Sequence, residues 1–281
     1  MPIHTLRTFI FYLLLSTTVG VTGARAENGN TPAEEQSNLV KQANAPISSI
    51  MQIRFEDSYV PKFNGLQGKG NTFTIAVTMP LPRSRRLLPF PQVSLLTIPS
   101  SVTLPGLTGF GDVRFLDLAV LHEERRFVWG VGPTFVFPTA SKPMTGQGKW
   151  QVGPAVGVAF VPEKWLVGVL VQNPISFAGD RDRKDTNAMV LEPSIIRQLG
   201  NGWFVRSRPQ LFFNWKSGKQ VLPLDIGVGR VFKIGRQQVN CFVEPFWNIT
   251  RDGPSPKYGV TFGLYMLYPN FWKRLSSGRN P

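Results

Sequence analysis

The chain has 281 residues, with 31 Lys and Arg against 17 Asp and Glu, a formal net charge of +14. Only 17% of residues are charged, while Gly (27), Pro (24) and Phe (21) are abundant, which argues against disorder, a collagen repeat and a helical bundle. This composition leaves an all-β fold.

Residues 1–26 read as a secretory signal peptide. Arg7 precedes an apolar run at 9–15, and Ala24-Arg25-Ala26 fits the small-x-small cleavage rule. The run is too short to span a membrane, and Glu27 rather than Cys follows the cut, which argues against a lipoprotein. Cleavage removes Arg7 and Arg25 and lowers the charge from +14 to +12. The remaining chain carries no long apolar stretch of helical membrane type. One cysteine, Cys241, leaves no internal disulfide and no two-cysteine metal site.

Residues 27–46 are polar and expected in the periplasm, with a short helix over 32–43 that Pro46 ends. Alternation then runs from 47 to 269. Twelve strand candidates lie at roughly 47–58, 71–80, 88–98, 110–121, 126–138, 148–161, 164–174, 187–198, 202–214, 220–232, 238–248 and 257–268. In the second, Phe73, Ile75, Val77 and Met79 share one face and Thr72, Thr74, Ala76 and Thr78 the other. In the ninth, Trp203, Val205, Leu211 and Phe213 oppose Arg206, Arg208, Gln210 and Asn214.

A soluble sandwich would alternate as well. Strands of about 9 to 13 residues match a tilted membrane crossing, where soluble strands average about 5 to 6. Connections after odd candidates are long (59–70, 99–109, 139–147, 175–186, 215–219, 249–256), and those after even ones mostly short (122–125, 162–163, 199–201, 233–237). This pattern predicts a single antiparallel transmembrane β-barrel of about 12 strands over 47–269, followed by a basic tail at 270–281. Trp129, Trp150, Trp165, Trp203 and Trp247 lie near strand ends on the apolar face, as an interfacial girdle would. Pro133, Pro154, Pro193, Pro209, Pro223 and Pro245 fall inside candidates, where each deletes a ladder donor, and bulges or irregular pairing are expected to absorb them. In the fourth candidate Asp112 and Arg114 share one parity and Asp117 has the other, so either a bulge shifts the register or Asp117 lies near the rim.

Several stretches are more specific. GFGDVRF at 109–115, WGVGPTFVFPTA at 129–140, GQGKWQVGPAVGVAF at 146–160, VGVLVQNPISFAGDRDR at 167–183, LGNGWFVRSRPQLFFNW at 199–215 and VLPLDIGVGRVFKIGRQQVN at 221–240 occur in order, after the lead-in LVKQANAPISSIMQI at 39–53. Together they resemble the outer-membrane family named for the meta-pathway of phenol degradation, over roughly residues 39–269. The resemblance implies a small outer-membrane barrel that passes small, often hydrophobic or aromatic molecules. The chain departs from the family at Ala45-Pro46, at Arg54-Phe55-Glu56-Asp57, and in the tail after Pro269.

The polar-face residues Gln52, Arg54, Glu56, Gln151, Gln172, Glu192, Arg206, Arg208, Gln210, Asp225, Asn240 and Glu244 are the candidate lumen lining. Arg206 and Arg208 either form a cationic eyelet for a solute or belong to an Arg–carboxylate lattice that fills the barrel. Gly130, Gly132, Gly153, Gly157, Gly168, Gly227 and Gly229 leave room inside, for a solute or for the segment before residue 46 as a plug.

No catalytic, metal or cofactor site is read. His122 falls in LHEERR, a short turn, and Gly227-Val228-Gly229 lacks the third Gly of a dinucleotide loop. The run DRDRKD at 180–185 reads as a solvated mixed-charge loop. Basic residues cluster at both rims, among them Arg83, Arg85, Arg86, Arg125 and Arg126 at one end and Arg181, Arg183, Lys184 and Arg251 at the other. Anionic headgroups of outer-membrane lipids would meet them, and nucleic acid is not needed as a partner. The expected partners are those lipids, a small-molecule solute and the outer-membrane assembly machinery. The expected function is a channel or transporter for small molecules; the alternative is a structural or surface-binding barrel with a closed lumen.

Overall fold

The structure is a computed structural model that describes residues 32–83, 89–124, 126–250, 252–269 and 271. The signal peptide, most of the basic tail, and Arg85, Arg86, Arg125 and Arg251 lie outside the described residues.

The chain forms a closed antiparallel barrel of twelve strands. They are β1 (Met51–Asn64), β2 (Gly70–Leu81), β3 (Gln92–Leu104), β4 (Leu107–Gly109 and Val113–Glu124), β5 (Phe127–Phe137) and β6 (Lys149–Phe160). Then follow β7 (Trp165–Gln172 and Ile175–Gly179), β8 (Ala188–Gly200), β9 (Trp203–Ser207 and Leu211–Asn214), β10 (Gln220–Val221, Pro223–Asp225 and Gly227–Ile234), β11 (Gln237–Asn248) and β12 (Ser255–Tyr268). Each strand pairs with its sequence neighbours, and β1 pairs with β12 from Met51↔Tyr268 to Asn64↔Ser255, which closes the sheet. Closure leaves no edge with unpaired N–H and C=O groups.

The period-two pattern sorts side chains to two surfaces. Outward positions carry large apolar groups that stay accessible, such as Val152, Val156, Phe160, Val167, Ile195 and Val228. Trp129, Trp165 and Trp203 stand outward at the end with short turns, and Trp150 and Trp247 at the end with long loops. Two arginines join the first group: Arg197 lies 5.2 Å from the Trp165 ring centroid and Arg230 lies 5.3 Å from that of Trp203. A guanidinium over an indole beside an apolar band keeps its charge at the band's edge.

Three expectations need correction. The first strand begins at Met51, because residues 45–50 turn inside the barrel instead of joining the wall. The long connection expected over 99–109 is a tight turn at Pro105 and Gly106, since β3 continues to Leu104 and pairs with Leu107–Gly109. The irregular pairing expected at prolines takes the form of an interruption at 208–210, around Pro209, and a break at Leu222, just before Pro223. A residue without an N–H cannot hold a ladder there. Pro133, Pro154, Pro193 and Pro245 stay within strands, and Pro133 lies opposite Pro154, so two missing donors fall at one place. Finally, Asp117 sits mid-strand on the outward face, away from the rim. It accepts a hydrogen bond from Ser94 Oγ at 2.6 Å. The β4–β5 ladder lacks pairs at Asp117 and Leu118, where a Cβ on Gly132 would lie 1.8 Å from the Asp117 carbonyl oxygen, and the register shift comes later, beyond Val120.

The half of the interior towards the short turns is a packed core. Helix α1 (Pro32–Asn44) starts with Glu34 and Glu35 in its first turn and carries Lys41 in its last, as the helix dipole favours. Leu39, Val40 and Ala43 form one buried face, packed against Leu166, Ile196, Phe204, Val231, Phe242, Tyr265 and Leu267 of the wall. Beyond the helix, Ile47 packs into a second cluster with Leu116, Leu118 and Leu170. Two glycines clear the space: a Cβ on Gly157 would come 3.1 Å from Ile47 Cδ1, and one on Gly168 would come 2.9 Å from Pro46 Cγ. By contrast, Gly229 receives the Phe204 ring, and Gly227 lies against Glu244. Substituting Gly157→Val is expected to push Ile47 out of place and to destabilise the barrel by about 1–3 kcal/mol, the usual cost of overpacking. Thermal unfolding in detergent, with limited proteolysis of residues 36–50, checks this: cleavage should speed up before the barrel itself unfolds.

Candidate functional site

Ten residues of the candidate lumen lining lie on the inward parity of their strands, and Arg208 and Gln210 line the interior from the break in β9. The structure divides them. Gln52, Arg54, Glu56, Glu192, Arg206, Arg208, Gln210, Asp225 and Glu244 converge on one side of the barrel, on β1 and β8 to β11. Gln151 and Gln172 stand on the opposite wall, on β6 and β7. Asn240 is fully buried beside the helix-packed core, and neither end of its amide has a protein partner.

The converging group is an ion-pair lattice. Arg206 Nε donates to Glu244 Oε1 at 3.1 Å, and both side chains are buried. The same guanidinium lies 3.8 Å from the Phe242 ring centroid and donates to Asn44 Oδ1 at 3.4 Å. Arg208 donates to Glu192 Oε1, Gln210 donates to Glu192 Oε2 at 2.9 Å, and the Arg208 backbone N–H donates to Asp225 Oδ1 at 2.8 Å. Arg54 lies 3.7 Å from Glu56, which also accepts from the Tyr265 hydroxyl. The cationic eyelet is therefore not formed, because both arginines spend their charge on glutamates. A guanidinium taken out of water needs a partner carboxylate, and inward-facing glutamates of other strands supply one to each.

The lattice also anchors the chain that fills the barrel. Gln52 Nε2 donates to Gln42 O at 3.2 Å and to Ser48 Oγ at 2.8 Å, so β1 holds both the helix end and the segment after it. Ser37 Oγ donates to Gln198 Oε1 at 2.6 Å, Gln198 Nε2 returns a bond to Ser37 O at 3.0 Å, and Gln36 Nε2 donates to Val231 O at 3.1 Å. These bonds and the apolar face of α1 fix residues 36–50 inside the wall.

Cavities lie on both sides of that filling. Towards the long loops are two, of about 400 and 360 Å³, whose linings share Thr72 and Phe212. Towards the short turns is one of about 380 Å³, against Lys41, Gln42, Ala45 and Ile47. Between them, Ala45, Pro46, Ser48, Gln52, Leu118 and Arg208 enclose only about 10 Å³. That is about one water at most, so residues 45–48 pack closely against the wall there.

At the long-loop end, Asp185 bridges the wall to a neighbouring loop, 3.1 Å from Lys149 Nζ and 3.3 Å from Lys216 Nζ. The hydrogen bond from Lys149, then that from Lys216, hold its carboxyl below the usual range. At the other end, burial pushes the Lys41 ammonium down, opposed by Glu163 and reinforced by Arg126. His122 belongs to the end of β4 instead of a turn, with Nε2 3.6 Å from Glu124 Oε1 and its ring against Phe127.

Tyr265 and Arg114 also face the interior and are absent from the candidate lining. Their parity was the available signal: Tyr265 shares a face with Thr261 and Gly263, and Arg114 with Leu116 and Leu118.

No protein-family model and no curated protein matches the chain. Among solved structures, an outer membrane channel from Pseudomonas putida F1 aligns over 78% of this chain and 94% of its own, at 11% identity and a TM-score of 0.54. The NanC porin aligns over 78% and 98%, at 8% identity and a TM-score of 0.49. Outer membrane phospholipase A from Escherichia coli aligns over 83% and 98%, at 11% identity and a TM-score of 0.42. The first of these similarities shows that the chain has the fold of an outer-membrane barrel.

Two tests follow from this geometry. Arg206→Leu alone is expected to cost about 3–5 kcal/mol by stranding Glu244, and Arg206→Leu with Glu244→Leu to recover most of that, as read by urea unfolding. A lowered folded-state pKa makes the Asp185 contribution complete above the ordinary carboxylate value near about 4 and lost as pH falls through the lowered value. Protease nicking of the 180–187 loop should therefore be equally slow at pH 7 and pH 5 and accelerate in stronger acid, whereas Lys149→Met should accelerate it already at pH 7.

Proposed function

We propose that the chain is an outer-membrane channel for small molecules, exported by the signal peptide at 1–26 and closed at rest by its own N-terminal segment. The observation that carries this reading is the thin partition. Residues 45–48, without regular secondary structure, lie with Gln52, Leu118 and Arg208 between cavities of about 380 and 400 Å³. A barrel meant only as a wall has no need of solute-sized cavities on both sides of one strip of chain. The short-turn end would face the periplasm and the long loops the outside. The Trp–Arg pairs at Trp165 and Trp203 suit anionic headgroups at the inner interface.

The motif series over 39–240 supports membership of the meta-pathway family, and with it small hydrophobic or aromatic solutes. A second reading has its own support. Leu39, Val40 and Ala43 pack as tightly as a permanent core, which fits a structural barrel that never opens.

Planar-bilayer recording separates the two. The full chain should be mostly silent. A variant with Pro46→Gly and Ile47→Gly, which loosens the partition and leaves the lattice intact, should open in discrete steps at least several times as often. If deletion of residues 36–48 from a folded barrel also yields no conductance, the structural reading stands and the channel reading falls.

A further inference from the structure

The interior arginines of the lattice are all committed, and one other is not. Arg114 stands on the inward face of β4, paired in register with Thr97 and Val136, and lines the cavity of about 360 Å³. Its side chain is exposed to that cavity, and among the described residues it makes no hydrogen bond and no ion pair. The nearby carboxylate is Asp112, and it is occupied elsewhere. Its Oδ1 accepts from the Ala140 N–H at 3.1 Å and its Oδ2 from the Gln147 N–H at 2.6 Å, so it holds the 138–148 loop.

The surroundings add donors and no further charge. Gln172 accepts the Thr134 hydroxyl through Oε1 at 2.8 Å, which leaves its amide N–H groups unspent in the lining that it shares with Arg114. Thr72 contributes a hydroxyl, and Pro99, Val136 and Phe212 supply apolar surface. A planar guanidinium with an open fork selects a carboxylate, which it can meet with two parallel hydrogen bonds. Asp112 keeps its negative charge nearby and offsets part of the charge of Arg114, so a dianion is disfavoured and a monoanion is the charge state that fits. Apolar walls around a few convergent donors, in a space of this size, suit a small organic body on that carboxylate.

From this we infer that the cavity around Arg114 is a binding site for small organic monocarboxylates, with Arg114 and Gln172 on the carboxylate and Pro99, Val136 and Phe212 against the body. The site would concentrate such molecules on the long-loop side of the partition. It names a solute class for the channel reading and rests on it for transport only, because binding needs no conduction.

Calorimetric titration of the full chain in non-ionic detergent tests it, with benzoate, benzamide and acetate as probes. Benzoate should bind roughly 10- to 100-fold more tightly than benzamide, the span of a charge-assisted hydrogen-bonded contact. Acetate, without the apolar body, should bind more weakly than benzoate. Arg114→Gln should abolish the preference for benzoate over benzamide, and Arg114→Lys should keep part of it. Gln172→Glu should weaken benzoate and leave benzamide unchanged. Equal binding of benzoate and benzamide, no binding of either, or an unchanged benzoate affinity in Arg114→Gln would overturn the site. If Arg114→Gln does not fold, as judged by heat-modifiable mobility, unchanged benzoate binding in Gln172→Glu overturns it instead. Silence in bilayers of the folded barrel lacking residues 36–48, with benzoate binding intact in the full chain, would remove the channel reading and leave this site standing.

Discussion

Pairing of β1 with β12 is the constraint on which the other features depend. It runs from Met51↔Tyr268 to Asn64↔Ser255, and it turns a long antiparallel meander into a surface with no free edge. Once closed, every strand has one face outside and one inside. The outside can then be apolar along its whole height, and the inside must be filled, hydrated or charged in compensated pairs. The inward alternation of Gln52, Arg54 and Glu56 on β1, and of Arg206, Arg208 and Gln210 on β9, follows from that closure rather than from any local preference.

The interior solves its filling problem in two ways. Near the short turns, α1 and Ile47 supply apolar surface against Phe204, Val231 and Leu118, so that half behaves as an ordinary protein core. Farther along, the three lattice arginines are each held by a glutamate, and Asn44 at the helix end touches Arg206. The plug and the lattice are thus joined at one residue. Displacing the helix would strand neither charge of the Arg206–Glu244 pair, because Asn44 is a supplementary partner. The cost of displacing the helix therefore falls on its apolar face, Leu39, Val40 and Ala43, and on its hydrogen bonds to the wall rather than on the ion pair.

The barrel was legible because period-two alternation and connection lengths are local in sequence. The ninth candidate shows both the success and its limit. Its parity placed Arg206 and Arg208 inward, yet the partner that decides their meaning, Glu244 or Glu192, lies on another strand at a register no local pattern reveals. Parity can assign a face but cannot pair charges across it. Arg114 was noted only for its parity for the same reason: only the structure shows that Asp112 hydrogen-bonds the loop at Ala140 and Gln147 instead of Arg114. The prolines were read as trouble for the ladder, and Pro209 and Pro223 do mark breaks, but which of the six would break a strand depended on neighbours across the sheet. The short helix over 32–43 was expected close to where Pro32–Asn44 forms, and a plug was one of two uses read for Gly157 and Gly168, which make room for Ile47 and Pro46 after the helix.

The central claim is that residues 36–50 occupy the barrel and close it. Thiol accessibility tests it most directly. In a Cys241→Ser background, a cysteine in place of Ala43, whose side chain is 3% exposed against the wall, would be challenged with a membrane-impermeant maleimide on folded protein in lipid nanodiscs. The account predicts labelling at least about a hundredfold slower than in the urea-unfolded chain, with a control cysteine at exposed Ser217 reacting at the free rate. Labelling of both positions at the same rate in folded protein would contradict it, because the segment would then lie outside the barrel.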